Sequence, residues 1–156
     1  MKKHQQGLAT VEFAFIGLLM IIVFFAVIEF GRLLWVWNTL AEAARRGARA
    51  AVVCPVDHAA PANIAVFNAP NVNGASPVLT GLTPANVSVQ YLDSASVPTD
   101  VFEDIRYARV SITGYSFNLL IPTLNATLTA PDFATTLPRE SLGIVPGVLT
   151  PQCFGF

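Results

Sequence analysis

The feature that most constrains this chain is an apolar stretch near its N-terminus, where no charged residue occurs from Phe13 to Ile28. As an α-helix this stretch would span only about 24 Å, whereas the hydrocarbon core of a bilayer is about 30 Å thick. Adding residues 8–12 brings the helix to about 31 Å. The length therefore draws a carboxylate, Glu12, into the membrane, although bilayer thinning or snorkelling could relieve this.

The helical pattern continues well beyond the apolar stretch. The first proline is Pro55, and the preceding sequence LLWVWNTLAEAARRGARAAVV is rich in Ala and Leu. A single helix over about residues 8–53 would be about 70 Å long, more than twice the thickness of the bilayer core. We therefore expect residues 8–31 to form a transmembrane half, and residues 32–54 to form an amphipathic half that projects from the membrane.

Charged and aromatic residues mark the expected exit from the membrane. Glu29 and Arg32 are three residues apart on the helix and can pair at the interface. Trp35 and Trp37 follow at the level where aromatic belts lie. This order predicts that the hydrocarbon region ends close to Glu29.

The basic residues give two conflicting indications of topology. Lys2 and Lys3 predict a cytoplasmic N-terminus. The opposing residues beyond the apolar stretch are Arg32, Arg45, Arg46 and Arg49. We discount them because Glu29 is within pairing distance of Arg32 and Glu42 can pair with Arg45 and Arg46, and because a rigid projecting helix is not a short loop. We therefore expect the C-terminal part to lie outside the cytoplasm.

Residues 55–156 predict a small β-rich extracytoplasmic domain. Residues 61–69 could form one or two helical turns, and residues 70–86 are a loop rich in Gly, Pro and Asn. Three later segments alternate between apolar and polar residues: 86–92, 105–117 and 124–130. We expect three or four antiparallel strands packed on the projecting helix, an α+β fold, with the hydrophobic tail packed down.

The chain contains two cysteines. Cys54 lies just after the helical pattern, and Cys153 lies close to the end of the chain. In an exported domain they predict a disulfide that ties the tail to the end of the helix. Such a bond could contribute up to roughly 4–5 kcal/mol in the chain-entropy model. The alternatives are two unrelated free thiols, or a nucleophilic pair of Cys54 with His58.

The chain offers little for catalysis or ligand binding. Its histidines are His4 and His58, and no phosphate-binding glycine loop or zinc-ligand spacing occurs. An acidic cluster could hold Ca²⁺, but it lacks the regular ligand spacing of a calcium loop and favours a solvated turn; it consists of Asp100, Glu103 and Asp104. The net charge of −1 suggests no nucleic-acid partner. Because these residues form no recognisable site, we expect no cofactor, no small-molecule substrate and no enzymatic activity.

A short basic segment, residues 1–7, precedes the apolar stretch. A Sec signal peptide would place a small-residue cleavage site after that stretch, and none occurs before Glu29. Gly7 stands in front of it instead. Cleavage between Gly7 and Leu8 would remove residues 1–7 as a leader and leave the whole membrane helix on the mature protein.

The pattern of Gly7, an apolar residue, Glu12 at the fifth position after the cleavage site and Phe13 resembles the class III signal of type IV pilins and pseudopilins. The continuation VEFAF…VIEFGRLLWVWNTLAEAARRGARAAVV is similar to the TadE-like family of tight-adherence (Tad) pilus pseudopilins. PANVSVQYL, RYARVSITGYSF and ATTLPRES extend the resemblance over most of the chain. Gly17 departs from the family, which often has a proline nearby. The resemblance implies a pilin-like fold.

It also implies roles for three residues. A membrane prepilin peptidase would recognise Gly7 on the cytoplasmic side, and Leu8 would become the new N-terminus. Glu12 would act in assembly. A carboxylate inside hydrocarbon is costly unless it is protonated or paired, and the new α-amine of a neighbouring subunit could pair with it. In the alternative reading, Glu12 is an interfacial residue that snorkels to the headgroups.

The function implied by the resemblance is that of a minor pseudopilin in the bacterial inner membrane. It would act in assembly, initiation or capping of an adhesion pilus, since the chain is longer than the short major pilins. The implied partners are a prepilin peptidase, other Tad pseudopilins, the assembly platform and lipid. Two alternatives stay open: a generic single-pass membrane-anchored binding protein and a membrane-anchored periplasmic enzyme.

Overall fold

The protein is built on one continuous helix, α1, which runs from Gln6 to Val53 in a computed structural model. The structure describes residues 6–70, 76–120, 126–144, 146–147 and 153. The helix contains 48 residues and is therefore about 72 Å long. This confirms the single long helix predicted from the sequence. Pro55 follows at the point where the helical pattern ends.

A small α+β domain is packed on the second half of α1, as predicted. Its elements are α2 (Ala60–Phe67), a 3₁₀ turn (Pro84–Asn86), β1 (Val87–Leu92), β2 (Tyr107–Ile112), β3 (Ser116–Asn118), β4 (Thr127–Thr129) and β5 (Phe133–Pro138). Strands β1, β2 and β5 form an antiparallel sheet in that order, and β3 pairs with β4 in a separate two-stranded sheet.

Two features of the strands differ from the prediction. The segment 105–117 was expected as one strand, but it is divided into β2 and β3 at Gly114, whose φ of +67° turns the chain out of the extended conformation. Strand β5 was not predicted. It forms the edge of the larger sheet, with Phe133 opposite Ile112 and Pro138 opposite Tyr107.

The core lies between the projecting half of α1 and the larger sheet, with α2 on one side. Small residues on α1 let these elements approach closely, because their side chains take little space. Gly47 has less space around it than Gly17 or Gly31 on the same helix. A β-carbon there would lie 3.0 Å from both Ala65 Cβ and Val110 Cγ1. The buried small residues around it are Ala43, Ala44, Ala48, Ala50 and Ala51.

The segment after β5 closes the C-terminal end of α1. The last carbonyls of a helix have no partner within the helix. Here the carbonyl of Val52 accepts hydrogen bonds from the amides of Glu140 and Leu142, 3.2 and 3.1 Å away. The buried Cys54 is joined to Cys153 by a disulfide, as the sequence predicted. The tail is thus tied to the helix end both covalently and by hydrogen bonds.

Candidate functional site

The N-terminal half of α1 exposes its apolar side chains instead of burying them. The helix is long and apolar enough to cross a membrane, and its most apolar 18 residues are not buried against the rest of the protein. The core helix of a soluble domain would be covered by its neighbours, whereas Phe13 and Phe24 are exposed. This half of α1 fits a single-pass membrane anchor.

Glu12 lies on this exposed half, in the second turn of α1. It is four residues from Leu8, so the two positions lie on the same face and are about 6 Å apart along the helix axis. The Gly7–Leu8 bond lies within the first turn of α1. The helix therefore places the predicted cleavage site one turn before the carboxylate.

Glu29 and Arg32 form the ion pair expected at the membrane exit, with 3.3 Å between Oε2 and Nη1. The pair is not free at the surface. Glu29 is only 7% exposed, and its Oε1 accepts a hydrogen bond from the backbone amide of Leu120 at 3.3 Å. Arg32 Nη2 donates to the carbonyl of Asn118 at 2.6 Å. We call these three interactions the exit clamp, because they fix the β3 end to α1.

The guanidinium of Arg32 also lies over the ring of Phe117, 4.3 Å from its centroid, at a distance suited to a cation–π contact. Sequence reasoning found the helical pair but missed these partners. Asn118 and Leu120 are 86 and 91 residues away along the chain from the groups that they contact, and no local pattern indicates such a pairing.

The second predicted cluster on α1 is only partly formed. Glu42 pairs with Arg45, with 3.4 Å between Oε2 and Nη1, and both side chains are largely exposed. Arg46 does not make the expected pair. Its Nη2 donates instead to the carbonyl of Ala65 in α2, 3.3 Å away. The reason is its position: Arg46 adjoins Gly47, where a β-carbon would lie 3.0 Å from Ala65 Cβ in α2.

The residues weighed for catalysis or metal binding have other roles in the structure. Cys54 is in the disulfide, and His58 Nδ1 accepts a hydrogen bond from the amide of Ala60 at the start of α2, 3.0 Å away. The acidic cluster lies on an exposed loop between β1 and β2. Among the described residues, no group of three His, Cys, Asp or Glu side chains is placed to hold a metal ion.

Two tyrosines of the domain have shifted ionisation. Burial raises the pKa of Tyr91 to about 12, and the negative charge of Asp57 adds to the shift. Burial also raises the pKa of Tyr115, although the positive charge of Arg32 opposes it. The hydroxyl of Tyr115 donates to the carbonyl of Thr80, 3.2 Å away. Both groups are therefore neutral packing residues at ordinary pH.

Comparison with known proteins gives a family match, which lies within α1. Residues 7–49 match the model of the family described as TadE-like protein. No curated protein and no solved structure matches the chain significantly. The match covers α1 almost to its end and supports the resemblance to TadE-like pseudopilins. It suggests a minor pilin associated with a Tad pilus, a class of protein that is in general not enzymatic.

Proposed function

We propose, taking the family match of residues 7–49 as the premise, that this chain is a minor pseudopilin that acts in assembly, initiation or capping of a Tad-type adhesion pilus. The observation that carries the proposal is the division of α1. Its first half is apolar and exposed, and its second half is covered by a folded domain. Such a subunit can pack sideways through the bare half while it carries the domain outside the membrane.

Maturation by a prepilin peptidase is the first step of this proposal. Cleavage between Gly7 and Leu8 would remove the basic leader and leave α1 nearly intact, since α1 begins at Gln6. The new α-amine on Leu8 would be positively charged. Because Glu12 lies one turn further on, the amine of one subunit can meet the Glu12 carboxylate of a neighbour that is shifted along the helix axis. That pairing would offset the cost of an acid in hydrocarbon.

The proposed orientation places the N-terminus in the cytoplasm and the domain in the periplasm or outside the cell. Lys2 and Lys3 support it through the positive-inside rule. The Cys54–Cys153 disulfide supports it independently, because disulfides persist in oxidising compartments and are rare in the cytosol. The partners would be the peptidase, other Tad pseudopilins, the assembly platform and the inner-membrane lipid.

The test is the N-terminus of the protein made in a bacterium that has its own prepilin peptidase. Intact-mass and N-terminal analysis should give a chain that begins at Leu8, and deletion of the peptidase should restore residues 1–7. Gly7→Ala should block processing. Gly17→Ala is the matched control, since no atom lies within 4 Å of a β-carbon there, and it should be processed normally. A wild-type chain that keeps Met1 would contradict the proposal and favour a generic membrane-anchored protein.

A further inference from the structure

The end of the β3–β4 unit lies directly beside the exit of α1 from its apolar stretch. The backbone amide of Leu120 is hydrogen-bonded to Glu29 Oε1 at 3.3 Å. Glu29 is the first charged residue after the apolar run that ends at Ile28. The side chain of Leu120 is not packed into the domain, since the residue is 67% exposed. An apolar residue is therefore held in the open at the level of the membrane exit.

The dimensions of a bilayer place Leu120 within the headgroup layer. A hydrocarbon core of about 30 Å inside a bilayer of about 40–45 Å leaves an interfacial layer of roughly 5–7 Å on each side. If the apolar stretch of α1 fills the core, Glu29 stands in that layer. Leu120 must lie in the same layer, because its backbone amide is hydrogen-bonded to the Glu29 carboxylate.

The charge distribution of the domain points the same way. No charged residue occurs between Thr113 and Pro131, the part of the chain that contains β3 and β4. The loop at the opposite end of the domain, residues 93–106, is strongly acidic; its charged residues are Asp93, Asp100, Glu103, Asp104 and Arg106. That loop adjoins the C-terminal end of α1, where Ile105 packs with Val52, about 35 Å beyond Glu29 along the helix.

The apolar surface also continues from α1 onto the β3–β4 unit. A crevice between them is lined mainly by Leu33, Trp37, Phe117 and Leu128, and Leu128 remains partly exposed on β4. Leu33 lies about 6 Å beyond Glu29 along the helix, within the headgroup layer, and Trp37 lies about 12 Å beyond Glu29. The lipid-facing surface of the anchor thus has a lateral extension that belongs to the folded domain.

We propose that the Leu120 end of the β3–β4 unit is a second membrane contact, which inserts into the lipid headgroup layer and fixes the angle between the domain and the bilayer. The occupant of this surface is lipid, because the surface is continuous with the exposed anchor and the segment between Thr113 and Pro131 contributes no charged residue to it. The inference rests on the proposed function in one respect, namely that α1 crosses a membrane. It goes further, since an anchor alone would leave the domain free to tilt.

The experiment measures the depth of spin labels on the full chain in vesicles of phosphatidylethanolamine and phosphatidylglycerol. A single cysteine is introduced as Leu120→Cys, with the native disulfide kept, and is labelled. The matched control is Val97→Cys, which is 55% exposed in the acidic loop. Phe24→Cys reports the anchor itself. The ratio of accessibility to oxygen over a water-soluble nickel chelate should be several-fold higher at Leu120 than at Val97, and highest at Phe24.

Each other outcome is decisive. A Leu120 label as water-accessible as the Val97 label, with Phe24 in lipid, would overturn the second contact and leave the anchor standing. A water-accessible Phe24 label would overturn both the anchor and the contact. Dilution with lipid, to a higher lipid-to-protein ratio, separates lipid from a second copy of the chain, because it dissociates neighbouring copies. A high ratio at Leu120 that falls on dilution would show a protein contact and overturn the inference.

Discussion

The backbone amide of Gly143 donates a hydrogen bond to the carbonyl of Val53, 2.8 Å away, and so closes the C-terminal end of α1 with a residue from the far end of the chain. Gly143 does this at a φ of +80°, and a β-carbon on it would lie 2.6 Å from Pro55 Cγ. Both the backbone conformation and the lack of space require glycine here. Gly143 is therefore a position where only glycine fits, and it attaches the tail to the helix together with the hydrogen bonds to Val52 and the disulfide.

Gly143→Ala should lower the free energy of unfolding by about 2–4 kcal/mol, because it adds a left-handed penalty of about 1–2 kcal/mol to the cost of overpacking. Gly147→Ala is the matched control. Gly147 has a φ of +84° but no atom within 4 Å of a β-carbon, so only the backbone penalty applies. Denaturant unfolding of the full chains in detergent measures both. Equal losses would show that contact with Pro55 contributes nothing.

Much of this fold was predictable because its signals are local. The absence of proline before Pro55 predicted α1 almost to its last residue, and alternation predicted β1 within one residue. Strand β5 is as long as β1, but its sequence FATTLP places two apolar residues before two threonines and ends in a proline, so apolar and polar residues do not alternate in it. It is a strand because β2 offers it an edge, and that edge is a property of the tertiary structure.

The exit clamp was predictable only where it lies within one helix. The spacing of Glu29 and Arg32 gave the pair, but nothing in it pointed to Asn118 or Leu120, which meet the pair through the fold. Arg46 shows the same limit. Its spacing from Glu42 favoured an ion pair, and the close approach of α2 gave it a carbonyl partner instead.

The exit clamp should contribute more to the free energy of unfolding than the exposed Glu42–Arg45 pair on α1. Glu29→Ala removes the acceptor of the Leu120 amide and the partner of Arg32, and should cost about 1–3 kcal/mol, since it leaves part-buried donors unsatisfied. Glu42→Ala breaks an exposed pair and should cost about 0.5 kcal/mol or less. Hydrogen exchange should speed up selectively in residues 116–120 of the Glu29 variant. If the exchange rate changes equally in all residues of both variants, the clamp does not hold the β3 end.

Tyr91 should make the domain sensitive to alkali. Its pKa is about 12 in the folded protein and about 10 in an unfolded chain. Between these values the unfolded state has lost a proton that the folded state retains, so stability is fully present below pH 10 and falls as pH rises towards 12. The pKa of Tyr115 is also raised, so its ionisation likewise lowers the stability of the fold at alkaline pH.

Tyr91→Phe should flatten the fall in stability between pH 10 and 12, while Asp57→Asn should lower the pKa of Tyr91 because it removes a neighbouring negative charge. Absorbance at the tyrosinate band and unfolding at each pH measure the two effects. An unchanged fall in stability in the Tyr91 variant would assign the alkaline loss to other groups.

Glu12 places a carboxylate at the edge of the apolar stretch. If its cost is offset by the α-amine of a neighbouring subunit, Glu12→Ala should insert and be processed normally, because removing a carboxylate from hydrocarbon makes insertion easier. Piliation or incorporation with partner pseudopilins should nevertheless be lost. Glu12→Gln keeps the shape without the charge and should fail in the same way if the pairing is electrostatic. Glu42→Gln is the matched control, since Glu42 is an exposed glutamate on the projecting half of the same helix.

The measurement replaces the wild-type gene with each variant and compares processing by gel and piliation by microscopy. The expected pattern is normal processing throughout, with piliation lost in both Glu12 variants and kept in Glu42→Gln. The Gln variant separates charge from hydrogen bonding: if Glu12→Ala alone fails, a neutral hydrogen bond suffices and the α-amine is not an ionic partner. Normal piliation in both Glu12 variants, at normal protein levels, would instead make Glu12 an interfacial residue that snorkels to the headgroups.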